Sequence, residues 1–241
     1  MTKVVLIGDR AVGKTSMVHA LCTPPHEKVE PKEGPSGDVA PTEGIEIKNL
    51  TIVVELPAGN IELSLVWIDT PGELQTNRKK QEDSPETWGK FCQEVKDSDY
   101  VMLLLPPHQS LLNNKNIPDI DDFPTSGQSQ NRFKQWWVSF LRQNPQKAKN
   151  ILICRHKADL FIADIQTEGD QYRYGNEGFS WKNYFDFSSR YFREVDSEIS
   201  DYRKNNTRQE VRLFVTTIHN RSLLELPWIY IATRESIRPK Y

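Results

Sequence analysis

The sequence predicts an α/β fold: a three-layer arrangement around a mostly parallel sheet, with one antiparallel hairpin and two inserted stretches. Three observations carry this. Short apolar runs alternate along the chain with stretches of helical periodicity. Two of the runs are separated by the turn-forming Pro57-Ala58-Gly59-Asn60, so they pair as a hairpin. The other runs are apolar throughout rather than alternating, as strands covered on both faces are. The 241 residues suit one domain, 1–241, with insertions at about 106–130 and 161–206.

The elements follow in chain order. Val4-Val5-Leu6-Ile7 reads as a short buried strand, and Met17, Val18 and Leu21 recur at helical spacing after Lys14. Thr23 to Pro41 carries Pro24, Pro25, Pro31, Pro35 and Pro41 and reads as a long loop that a ligand would order. Ile45 to Leu56 is expected as a strand with Leu50, Ile52, Val54 and Leu56 on one face, and Ile61 to Ile68 as its returning partner. Leu74 to Lys96 is polar, with a helix over Thr87 to Val95. Tyr100 to Leu105 is a continuous apolar run stopped by Pro106-Pro107, hence a covered strand.

Pro106 to Gln130 is rich in Asn, Pro, Asp and Ser and reads as an inserted loop. Phe133, Trp136, Trp137, Phe140 and Leu141 keep the spacing of an amphipathic helix, which makes core packing the expectation for both tryptophans, with one of them open to a partner as the other reading. Ile151 to Cys154 is a further buried strand. Phe161 to Asn206 is the second insertion, with Tyr184, Phe187, Tyr191, Val195 and Tyr202 along one stripe of an aromatic helix. That stripe either docks on its own domain or offers a partner surface. Val211 to Val215 is the last strand, and Pro227 is expected at the first position of a short terminal helix. Right-handed crossovers would bring the ends of the strands at Val4, Trp67, Tyr100 and Ile151 to one edge, where open α/β sheets bind ligands.

Composition narrows the function classes. Lys and Arg number 31 against 33 Asp and Glu, a net charge of −2, so bulk binding to nucleic acid or to an anionic membrane is not expected. Cys22, Cys92 and Cys154 form no closely spaced motif, which argues against a disulfide framework. The five histidines are dispersed without zinc spacing, and His19 and His108 are expected on the surface or facing a helix. No signal segment, prenylation cysteine or myristoylation glycine is present, so a cytoplasmic protein without a lipid anchor is expected.

The chemistry lies in the connections. Gly8-Asp9-Arg10-Ala11-Val12-Gly13-Lys14-Thr15 follows a strand and opens a helix, the context a phosphate-binding GxxxxGKT loop requires. Glycines let the chain pass close to phosphate, successive N–H groups and the helix N-terminus face the anion, and Lys14 neutralises charge further out. Thr15 would place its hydroxyl on Mg²⁺. Asp69-Thr70-Pro71-Gly72 ends a buried strand. Asp69 there can reach Mg²⁺ through water, and Gly72 can bring its N–H to a terminal phosphate; alone the tetrapeptide also reads as a type II turn. Pro41-Thr42-Glu43-Gly44 lets Thr42 close over metal and phosphate. Cys154-Arg155-His156-Lys157-Ala158-Asp159 follows a strand and holds KxD, whose carboxylate can accept two hydrogen bonds from a guanine edge but not from adenine.

Together GDRAVGKT, PTEG, DTPG and HKAD stand in the order seen in Ras-like small GTPases, and the chain resembles that family of P-loop NTPases. The long hairpin after PTEG is similar to the Roc-type and prokaryotic members. The resemblance covers roughly Thr2 to Leu21, Pro41 to Gly72, Asp99 to Leu105, Phe133 to Asp159 and Val211 to Ile218, with longer spacers than a minimal member. It implies GTP and GDP as ligands, with Gly8, Asp9, Arg10, Ala11, Val12, Gly13, Lys14, Thr15 and Ser16 along the phosphates. It implies Thr15, Thr42 and Asp69 on Mg²⁺, Gly72 on the γ-phosphate, and Lys157 along the base with Asp159 selecting guanine. The last base contact falls on Thr217 and Ile218, in a segment that matches the family poorly.

Three departures bear on activity. His156 stands where the family has Asn or Thr to tie the base loop to the phosphate loop. Glu73 stands where many members carry a water-orienting Gln; a carboxylate there cannot donate to the phosphate, so slow intrinsic turnover is expected. It acts as a base or is simply solvated. Arg10 stabilises transition-state charge in cis, or points to solvent or pairs with an acid such as Glu73. The expectation is a GTP-hydrolysing switch whose loops control docking of a protein effector or regulator. The alternatives are a pseudo-GTPase scaffold that holds nucleotide without turnover, and an ATP-dependent P-loop phosphotransferase.

Overall fold

Six strands form one sheet in the order β2-β3-β1-β4-β5-β6. The computed structural model describes residues 2–8, 12–22, 46–56, 59–69, 82–112, 117, 119–143, 150–205 and 210–237, and for 46–50, 54–56, 59–69, 138–143, 205 and 237 the backbone path alone. The strands are β1 (Thr2–Gly8), β2 (Glu46–Leu56), β3 (Gly59–Asp69), β4 (Tyr100–Leu105), β5 (Asn150–Arg155) and β6 (Val211–Val215). The helices among the described residues are α1 (Lys14–Cys22), α2 (Pro85–Asp97), α3 (Gln109–Leu112), α4 (Ser126–Gln143), α5 (Ile165–Gln171), α6 (Trp181–Ser189), α7 (Asp196–Asn205) and α8 (Arg221–Ile237).

Among the described strands only β2 runs antiparallel, against β3; β3, β1, β4, β5 and β6 are mutually parallel. Every residue of β4 is buried, as are Val4 to Gly8 of β1 and Ile151 to Arg155 of β5. Both faces of the central sheet are therefore covered, which accords with a three-layer α/β fold. No helix among the described residues is long and apolar enough to cross a membrane.

The hairpin is tighter than its turn residues suggest. Leu56 pairs with Gly59 and Glu55 with Asn60, so Gly59 and Asn60 belong to β3 rather than to the turn. Ile52 is buried between exposed Thr51 and Val53, the alternation expected of β2.

The terminal helix departs from expectation. It begins at Arg221, where the Asn220 side chain accepts the Leu223 N–H at 3.0 Å, so Pro227 lies inside the helix rather than at its start. A proline there removes one backbone bond. Leu223, Leu224, Leu226, Trp228, Ile229 and Ile231 are all buried, and that apolar burial outweighs the lost bond. Arg221 also fastens α8 to α1, donating to the carbonyls of Ala20 at 2.7 Å and Leu21 at 3.4 Å. These are the otherwise unsatisfied carbonyls of the last α1 turn.

Where it is described, the first insertion is more than the loop expected, and the second divides its helix. Residues 106–130 include α3, a 3₁₀ turn at Ile120–Asp122 and the start of α4, and Leu112 and His108 are buried. His108 is thus not a surface residue. The stripe in 161–206 divides between α6, a 3₁₀ turn at Arg193–Val195 and α7 instead of forming one helix. Tyr184, Phe187, Val195 and Tyr202 are buried, so this face is core and not a partner surface. Trp136 and Trp137 are buried too, with Trp137 edge-on to Tyr202 at 4.7 Å between centroids.

The second insertion also seals the outer edge of β6. Arg203 donates to Val211 O at 2.8 Å and Ser188 to Leu213 O at 2.8 Å, while Tyr184 Oη receives the Val215 N–H at 3.0 Å. Side chains thus take the place of a neighbouring strand along an edge that would otherwise present unpaired backbone groups.

Candidate functional site

Parallel pairing with matched registers brings the carboxyl ends of the strands to one edge. Gly8 pairs with Leu104, while Leu105, Arg155 and Val215 lie in register. The segments that follow β1, β5 and β6 therefore start beside one another, as ligand-binding connections of open sheets do.

The turn between β1 and α1 depends on two glycines. A Cβ on Gly8 would lie 2.7 Å from Leu104 O and 3.0 Å from Val12 Cγ1, so no other residue fits. Gly13 has φ of +100°, in the left-handed region that favours glycine. Its carbonyl then accepts the Met17 N–H at 2.9 Å, the first bond of α1. Lys14 is buried and donates from Nζ to Gly8 O at 2.8 Å, which folds its side chain back to the end of β1. Val12 is buried, whereas Thr15 and Ser16 are exposed at the head of α1.

His156 joins this turn to the loop after β5. A Cβ on Gly13 would meet His156 Cδ2 at 2.8 Å and Nε2 at 2.9 Å, so the imidazole lies directly against the glycine. Its N–H donates to Leu105 O at 3.0 Å, and its Nδ1 lies 3.0 Å from Thr216 Oγ1. The ring is only 2% exposed. Burial, reinforced by the neighbouring Lys157 charge, pushes its pKa down to about 4, so it is neutral at physiological pH.

The histidine site makes stability depend on pH. The folded protein disfavours the imidazolium, so it takes up fewer protons than the unfolded chain between pH 6.5 and 4. The stabilisation is fully present above pH 6.5 and is lost progressively as pH falls toward 4, by about 3 kcal/mol in total. Denaturant midpoints measured from pH 8 to 4.5 should fall steeply in the wild type. His156→Asn should flatten that part of the profile; an unchanged profile would remove His156 as its source.

Lys157 takes φ of 61° at the entry to a 3₁₀ turn, Ala158–Leu160. A non-glycine residue in that conformation carries local strain, which clusters at functional positions. Burial lowers the Lys157 pKa and the nearby Asp159 partly offsets it. Asp159 accepts a short hydrogen bond from the Thr217 hydroxyl, and His219 Nε2 lies 3.9 Å from its other carboxylate oxygen. The His219 N–H donates to Thr217 Oγ1 at 3.1 Å, and Ala158 N–H donates to Thr216 O at 3.1 Å. The loops after β5 and β6 are thus laced together around one carboxylate. Thr217 is buried and Ile218 packs on the core edge.

Of the expected residues, Gly8, Val12, Gly13, Lys14, Thr15, Ser16, His156, Lys157, Asp159, Thr217 and Ile218 lie at this sheet edge. Asp69 closes β3, pairing with Glu46. Asp9, Arg10, Ala11, Thr42, Gly72 and Glu73 lie outside the described residues. Thr216 and His219 join the site without having been singled out. Thr216 sat in the poorly matching final segment, and a lone histidine at the end of a strand has no spacing signal. The donors assigned to Mg²⁺ are hydroxyl and carboxylate oxygens, the hard ligands that cation takes.

No family model matches the chain, and no curated protein matches its sequence.

Proposed function

We propose that this chain is a guanine-nucleotide switch of the Ras-like kind, binding GTP and GDP with Mg²⁺ and hydrolysing GTP slowly in the cytoplasm. The observation that carries the reading is the meeting of two loops about 140 residues apart in the chain, His156 resting on Gly13 while Thr217 holds Asp159. A glycine turn opening a helix is a phosphate cradle, and a lysine and a fixed carboxylate next to it are a base-reading pair. The strand order, with one antiparallel hairpin between β1 and β4 in sequence, supports the same reading.

In this proposal Lys14 leaves Gly8 O for the β- and γ-phosphates, and Lys157 lies along the base while Asp159 accepts from its edge. Mg²⁺, held by Thr15 and Thr42 with Asp69 acting through water, would neutralise charge on the phosphates. Arg10 and Glu73 flank the hydrolytic step. Segments Thr23–Gly44 and Gly72–Lys96 would be held by Thr42 and the Gly72 N–H only while the γ-phosphate is present, which exposes or hides a docking surface for a protein partner.

The test is the identity and fate of bound nucleotide. Protein purified without added nucleotide is denatured and the released bases are separated, and refilled protein is followed for turnover. GDP recovered, with added GTP slowly converted, supports the switch. Intact GTP that persists for days would mark a nucleotide-holding scaffold instead. Equal affinity for ATP and GTP would overturn the guanine assignment.

A further inference from the structure

At the opposite side of the base loop from Gly13, the last residue of β5 enters a sealed polar cluster. Arg155 is fully buried, and its guanidinium donates to Pro106 O at 2.7 Å and forms a close ion pair with Glu194, with the Phe192 ring 5.1 Å from Cζ. Glu194 belongs to the 3₁₀ turn of the inserted segment. Its carboxylate also meets His108 Nε2 at 3.5 Å, from the stretch after β4, and the Ser129 hydroxyl at 3.5 Å, from α4. One carboxylate therefore ties the insertion to two strand ends and a helix. Arg155 Nε and His108 Nδ1 are buried with no hydrogen-bond partner among the described residues. With Nε2 donating to the carboxylate, His108 Nδ1 is a leftover acceptor and Arg155 Nε–H a leftover donor, and a buried network with both unmet suits a joint that opens rather than a permanent staple.

Resting on the nucleotide-site reading above, we propose that the Arg155–Glu194 pair is a clamp through which the inserted segment 161–206 sets the rate of nucleotide release. Arg155 is followed directly by His156, whose ring lies on Gly13, and its own carbonyl accepts the Thr216 N–H at 2.9 Å. Displacing Arg155 therefore disturbs both the contact with the phosphate loop and the strand end that leads to Thr217 and Asp159. A protein partner that pulls the 193–195 turn outward would open the base side of the site without touching nucleotide. Glu194 and Arg155 are positioning residues in this scheme, acting through His156 and Asp159.

The experiment combines two readouts on full-length Glu194→Gln, Glu194→Ala and Arg203→Met. Arg203 bonds Val211 O at the far end of β6, so its variant loosens the insertion away from the site. Release of fluorescent GDP should quicken about tenfold in both Glu194 variants and less than twofold in Arg203→Met. Amide exchange at His156 and Ala158, measured without nucleotide, should quicken in the Glu194 variants alone. Unchanged exchange and release in folded Glu194 variants would overturn the clamp, as would equal acceleration in Arg203→Met. Faster amide exchange in a protein that binds no guanine nucleotide would overturn the nucleotide reading and with it the control of release, leaving only the mechanical link from Glu194 to the His156 loop.

Discussion

Lys14→Met should weaken GTP and GDP binding on the order of 100-fold while leaving the melting temperature of the nucleotide-free protein within a few degrees. The lysine is buried and its ammonium donates to Gly8 O at 2.8 Å, so methionine keeps the packing of the stem and removes the charge. A charge-assisted bond to phosphate is worth roughly 1.5–3 kcal/mol, which sets that fold-change. Titration calorimetry against GDP reads it directly. Binding within threefold of wild type would mean that the Gly8–Thr15 turn is a structural corner and holds no phosphate.

Asp159→Asn should exchange base preference, lowering affinity for GTP and raising that for xanthosine triphosphate by similar factors. The Thr217 hydroxyl donates to one carboxylate oxygen, so an asparagine keeps its carbonyl toward Thr217 and turns its amide outward. In the proposed site, the position that would accept two donors from guanine would then donate to the extra carbonyl of xanthine. Losing such a polar match in a specific site costs between one and three kcal/mol, or roughly 10- to 100-fold. Competition among GTP, xanthosine triphosphate and ATP separates the outcomes. An unchanged order of affinities would free Asp159 from base recognition and leave it as the partner of Thr217 and His219.

Local patterns were legible wherever chemistry and periodicity agree over a short stretch. Tyr100–Leu105 and Val211–Val215 are strands with the bounds that their apolar runs suggest. The helix around Phe133 to Leu141 runs from Ser126 to Gln143, and the GxxxxGKT stretch lies between a strand and a helix. Misreadings fell where a tertiary contact outvotes local preference. Pro227 looked like a helix start because proline favours that position, but six buried apolar neighbours carry the helix through it. Tyr191 sat on a helical stripe, yet the chain turns there, because Phe192 and Glu194 are drawn onto Arg155. His108 read as a residue on the surface or facing a helix because a single histidine in a polar stretch carries no sign of its partner; that partner, Glu194, is 86 positions away.

By itself the sequence singled out the loops proposed for phosphate and base chemistry, because a glycine turn, a lysine and a carboxylate are recognisable from their own backbone freedom and charge. It also determined the alternation of strands and helices, through the period of its apolar residues. Only the tertiary structure decided that the His156 ring lies against Gly13, that Thr216 meets its other side, that Thr217 bonds Asp159, and that an inserted segment reaches the same place through Glu194. Those pairings join residues between 39 and 143 positions apart, and which distant side chains meet depends on sheet register and packing rather than on any local preference.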